Sequence, residues 1–249
     1  MRRIAPLIFG LGVLALWYVV AETGAIESYF LPHPLKVFET LILGLTEGDL
    51  LRATGVTMVS AGLGCVIAAI LGIPFGYAIA KNRVISATFS PYLAASQAIP
   101  AVALAPLLVV WIGYGLPSIT VLCVILVIFP VIISTALGIR ELDPDVIDAA
   151  RLDGAGRWDL MKNIELPLAA PSILAGIRTG FTLSITGAVV GEMVMGGSGL
   201  GAALARSQGS TANATHLFAV IAILVVLAVG IYLLLTFIEN AADNRKGSS

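Results

Sequence analysis

Six predominantly apolar stretches of 17 to 25 residues punctuate this chain: Ile4–Val20, Val56–Ala80, Leu93–Ile112, Pro117–Gly138, Ile173–Gly191 and Leu217–Ile238. An α-helix of about 20 apolar residues crosses the ~30 Å hydrocarbon layer of a bilayer. Lipid offers the backbone no hydrogen bonds, so a segment there must satisfy its own N–H and C=O groups as a helix. The sequence therefore reads as an all-α integral membrane protein of about six transmembrane helices, a single domain over residues 1–249. Composition agrees: mean hydropathy is +1.00 and 12% of residues are charged, about half the share in soluble domains. The 26 Gly and 12 Pro suit close packing and kinks in a membrane bundle. No basic patch points to nucleic acid. Cys65 and Cys123 fall inside apolar runs and read as small packing residues rather than a disulfide.

The first stretch follows Arg2 and Arg3, as a secretory signal would. Its apolar run exceeds the roughly 7–15 residues of a signal core and no convincing cleavage site follows, so it reads as a retained span. Basic residues set the orientation. With the N-terminus inside, 11 of the 14 Lys and Arg lie on inner segments or helix ends, and Lys36, Arg52 and Arg206 lie outside. That bias places both termini in the cytoplasm of a bacterial-type inner membrane. The outer segment Ala21–Ala53 is acidic. Within it Leu35, Phe38, Ile42 and Leu45 share one helical face, which predicts a short amphipathic helix on the outer surface.

Two spans carry rows of small residues four apart: Ser60, Gly64, Ala68, Gly72, Gly76 and Ala80 in the second, Gly176, Gly180, Ser184 and Ala188 in the fifth. Such rows let helix backbones approach closely. Thr179, Thr182 and Thr186 form a polar face on the fifth span. Hydroxyls in membrane helices bond back to their own backbone or line a wet cavity. On the second reading, Thr182 and Thr186, with Gln97 of the third span, are candidates for a translocation path.

The largest polar stretch, the loop 140–167, reads RELDPDVIDAARLDGAGRWDLMKNIELP. Asp143 followed by Pro144 is a helix start, and Asp145 and Asp148 suit that end of the dipole. The helix stops near Gly154 and Gly156. A second short helix is expected to end before Pro167, giving two helices around a glycine turn, a knob outside the membrane. Asp148-Ala149-Ala150, Gly154 four residues on, and Ile164-x-Leu166-Pro167 resemble the "EAA" loop of permeases of ATP-binding-cassette (ABC) importers. Only Asp148, for Glu, departs from that pattern. Leu31-Pro32-His33-Pro34, Ile99-Pro100, Ala105-Pro106-Leu107 and Gly199-Leu200-Gly201 resemble the nitrate/sulfonate/taurine branch of that family, so the resemblance covers nearly the whole chain.

The resemblance implies a transport subunit rather than an enzyme. It makes residues 140–167 a coupling loop, with Asp148, Ala149, Ala150, Arg151, Gly154, Arg157, Ile164, Leu166 and Pro167 serving contact with a cytoplasmic ATPase. It implies a homodimer with two ATPases and an external solute-binding protein, moving a small solute such as nitrate, a sulfonate or a similar organic compound. No G-x-x-x-x-G-K-[ST] loop occurs, so ATP and Mg belong to the partner; no cofactor or metal is expected on this chain. Two rivals are weaker. Gly196-Gly197-Ser198-Gly199 with His216 resembles a rhomboid-type intramembrane protease, but the match is four residues, three of them glycine. A secondary transporter or channel would carry ionisable groups at mid-membrane, where the sequence shows few.

Overall fold

The computed structural model describes residues 5–96, 98, 100–208 and 213–246, and among these it holds helices and no strand. In order they are α1 (Ala5–Glu22), α2 (Pro34–Thr46), α3 (Asp49–Lys81), α4 (Arg83–Ser96), α5 (Ala101–Ile112), α6 (Leu116–Arg140), α7 (Pro144–Leu152), α8 (Arg157–Leu160), α9 (Leu166–Met195), α10 (Leu200–Ser207) and α11 (Ala214–Lys246). A π-turn, Met161–Glu165, joins α8 to α9.

Among the described residues, four segments are long and apolar enough to cross a membrane: Asp49–Lys81, Leu116–Arg140, Arg157–Met195 and Ala214–Leu234. The other two predicted spans take different forms. The third, Leu93–Ile112, is not one straight helix: α4 and α5 meet at 105° across a break at 97–100. Pro100, with extended backbone, precedes the first residue of α5. The first coincides with α1, an apolar helix of 18 residues, Ala5–Glu22.

The core is α6 held between α3 and α9. Both small-residue rows face it. A Cβ on Gly64 would collide with Cys123, and one on Gly176 would lie 2.5 Å from the Ser134 Cβ, so only glycine allows these backbone separations. Polar bonds reinforce the contact: the Ser184 hydroxyl donates to the Ala61 carbonyl (2.7 Å) and the Cys123 thiol to the Ser184 carbonyl (3.4 Å). Cys65 and Cys123 are free and buried, as packing residues would be. The outward faces of α1, α3, α5 and α11 are apolar and uncovered, as lipid-facing surfaces are.

The predicted amphipathic helix is α2. The His33 ring accepts from the Leu35 N–H and caps it. Val37 turns inward, while Leu35, Phe38, Ile42 and Leu45 are exposed. Described side-chain contacts of α1 gather at its C-terminal end, where the Trp17 indole N–H donates to the Pro32 carbonyl (3.1 Å) and His33 pairs with Glu22 (3.1 Å).

Candidate functional site

The loop between α6 and α9 forms the predicted knob. The Asp143 carboxylate accepts from the Asp145 N–H (2.9 Å) with Pro144 in the first turn. At the other end of α7 the Gly154 N–H donates to the Arg151 carbonyl (3.1 Å) and the Ala155 N–H to the Ala150 carbonyl (3.0 Å). This is a Schellman stop with its left-handed residue at Gly154, φ +91°. A Cβ there meets nothing within 4 Å, so glycine is required by the dihedral and not by space.

Ile147 and Leu160 pack inward, and the opposite side is bare. Leu152 is 89% exposed, and Val146 and Ala149 of the same helix are exposed too; Trp158, 67% exposed, lines a cleft that faces Tyr77 and Lys81 of α3. Asp148 and Arg151 form an exposed ion pair (2.9 Å), of a kind that contributes little stability. Leu166 lies apart from this surface, packed with Ile139, Ala169 and Ile173. Ile164 is half-buried and Pro167 exposed.

Pro167 does not end the second helix, contrary to expectation: Arg157–Met195 runs on as one span-forming segment. The π-turn gives the reason. The Leu166 N–H donates to the Met161 carbonyl, five residues back, widening the helix immediately before a proline that supplies no N–H.

Sequence reasoning missed two buried carboxylates. Glu165, the variable residue of Ile164-x-Leu166-Pro167, is buried against Lys81 and Tyr77 of α3. Glu192, expected at an outer helix end, is fully buried. The Thr57 hydroxyl lies 3.0 and 2.9 Å from its two oxygens, and the Gly201 N–H donates to it (2.8 Å). The Leu200 N–H donates to Thr57 Oγ1 (2.9 Å). Glu192 and Thr57 thus cap α10 from other helices, because Gly199 has no side chain to do so. Gly199-Leu200-Gly201 now has a physical reason: a Cβ on Gly199 would strike the Glu192 carboxylate, and one on Gly201 the Val189 carbonyl.

On α9, Thr179, Thr182 and Thr186 are exposed, and each hydroxyl donates to the carbonyl four residues back. A cleft of about 430 Å³ opens on this side, lined by Ser96, Leu104, Phe129, Ser134, Thr179 and Leu183 among others, none of them ionisable. Gln97 lies outside the described residues. Ser198 and His216 line one pocket, but His216 Nδ1 is bonded to Ser207 Oγ (2.7 Å). Among the described residues no cluster of three His, Cys, Asp or Glu could hold a metal ion.

Residues 72–246 match the family of binding-protein-dependent transport system inner membrane components. The chain belongs to this family. The permease is 35% identical to the riboflavin transport system permease protein of Chloroflexus aurantiacus, over 92% of this chain and 85% of that one. It is 33% identical to a probable ABC transporter permease protein of Haemophilus influenzae, over 93% of each. It is 28% identical to the taurine transport system permease protein of Escherichia coli, over 87% and 80%. The inward-facing methionine ABC transporter shares its fold, with a TM-score of 0.70 at 21% identity over 79% of this chain and 97% of that one. The permease is thus a transport subunit of an ABC importer for a small solute, not an enzyme. Its family implies an ATPase and a solute-binding protein as partners.

Proposed function

We propose that residues 140–167 dock on the cytoplasmic ATPase and convert its closure into movement of the permease. The observation that carries this reading is the exposed apolar surface of α7 on the knob, Val146, Ala149 and Leu152, since apolar surface outside the membrane marks a contact site. Asp148, Ala150, Arg151, Gly154 and Arg157 complete the docking surface or hold its shape, while Ile164, Leu166 and Pro167 root it in the bundle. The permease works as a homodimer with two ATPases, both termini in the cytoplasm, and Thr182 and Thr186 face the solute path. Uncharged lining of the cleft beside Thr179 favours an organic solute over bare nitrate, because a desolvated anion there would meet only hydroxyl donors.

Gly154→Val tests the docking role. An L-residue in the left-handed region costs about 1–2 kcal/mol, more when β-branched. The turn should re-aim and transport per ATP hydrolysed should fall roughly ten-fold, a loss of coupling within the usual range. Membrane abundance should hold, and Gly154→Asn, which tolerates this conformation, should stay near the parent. Normal transport by Gly154→Val would reject the docking role.

A further inference from the structure

The knob meets α9 through a π-turn, an uncommon form that an ordinary helix outcompetes unless something holds it. One extra residue in a turn rotates everything beyond it by about 100°, so the state of Met161–Glu165 sets the direction in which the knob points. What holds the turn is found at its last residue. The Glu165 side chain is 1% exposed, in a segment otherwise largely open to water. Its carboxylate accepts from Lys81 Nζ (2.6 Å) and from the Tyr77 hydroxyl (2.6 Å). Both partners are on the last turns of α3, four residues apart and hence on one face. The Lys81 ammonium also lies over the Tyr77 ring, 5.8 Å from its centre.

The geometry needs the π-turn. In an α-helix, residues five apart are separated by about 140° around the axis. Yet Leu160 and Glu165 are both buried. The extra residue brings both onto the inner side. Beyond this junction a cleft of about 620 Å³, lined by Tyr77, Lys81, Arg151, Arg157 and Trp158, separates the knob from α3, so the link at Glu165 spans an otherwise open gap. The end of α3 is itself fixed: the Arg140 guanidinium donates to the Ile79 carbonyl (3.2 Å) and to Ser86 Oγ (2.7 Å). Stability alone gives poor reason for such a pair, since a buried ion pair is commonly matched by apolar residues of similar volume. Directionality is what an ion pair adds.

We infer that Glu165 is a positioning residue: its ion pair with Lys81, supported by Tyr77, locks the π-turn and thereby sets the aim of the knob at the ATPase. This rests on the docking role proposed above. The test compares the parent, Glu165→Gln, Lys81→Gln and the exchange Glu165→Lys with Lys81→Glu, each co-expressed with the ATPase. Spin labels at Leu152→Cys on the knob and Val59→Cys on α3 report the knob's aim, and the ATPase retained per permease, measured on the same variants with Leu152 and Val59 intact, reports docking. Both single variants should broaden or shift the distance distribution and reduce ATPase retention at least roughly five-fold. The exchange should restore both, which a merely stabilising role would not require. Lys81 is 38% exposed, so its variant carries the test even if Glu165→Gln fails to reach the membrane. Unchanged distances in Lys81→Gln would overturn the inference. Altered distances with undiminished retention would uphold the lock and reject the docking role instead.

Discussion

Glu192 is the residue whose loss should be felt most widely, because it serves three helices. Replacing it by alanine leaves the Gly201 N–H buried without its acceptor, at about 1–3 kcal/mol, and throws the Thr57 hydroxyl back on the Ala53 carbonyl (3.2 Å) alone. Glu192→Ala should lower the unfolding midpoint of the detergent-purified permease by several degrees. Glu192→Gln keeps an acceptor oxygen and should fall between Ala and the parent. Equal midpoints for all three would show that the carboxylate does not brace α10. The same chemistry explains why this residue was illegible in the sequence. An acidic residue near a helix end reads as solvated, and Thr57 lies 135 positions away. Glu165 was hidden likewise, with Lys81 84 positions distant. Gly154, by contrast, was legible because its demand is local: a helix stop with a left-handed residue.

At the scale of elements, what repeats can be read and what interrupts cannot. The small-residue rows of α3 and α9 were plain in the sequence because a spacing of four marks one helical face. Their partner, α6, carries no such mark, and only the structure shows it between them. The π-turn leaves no periodic trace, and Pro167 invited the wrong reading, a helix end instead of a widened helix. The break between α4 and α5 was masked by an apolar run continuous enough to pass for a span. The rows predict a paired outcome. Gly64→Leu must displace Cys123 and should sharply lower the amount of permease in the membrane, whereas at Gly62 a Cβ meets nothing within 4 Å, so Gly62→Leu should express normally. Equal abundance of the two variants would mean that the rows do not set the packing of α3 on α6.

For the whole molecule, the bias of basic residues predicts a sidedness that labelling can read. Cys65 and Cys123 are buried, so native thiols contribute little background to a water-soluble reagent. Leu152→Cys should be protected in intact cells and react after permeabilisation, and Glu47→Cys should react from outside. Thr182→Cys should react in at least one nucleotide state if it faces the solute path. Labelling of Leu152→Cys from outside would overturn the orientation and the docking role together.

Transport asks such a molecule to deform repeatedly without tearing, and the glycine contacts along α6 decide where the strain goes. Where backbones touch, no layer of pliable side chains remains to absorb a push, and a tightly packed interior passes displacement on rather than damping it. On the proposed docking role, the α3–α6–α9 unit is a stiff beam loaded at one end by the knob rooted in α9. On the same reading, compliance is left to the lipid-facing helices, which would shift against the beam while its own length and pitch stay constant.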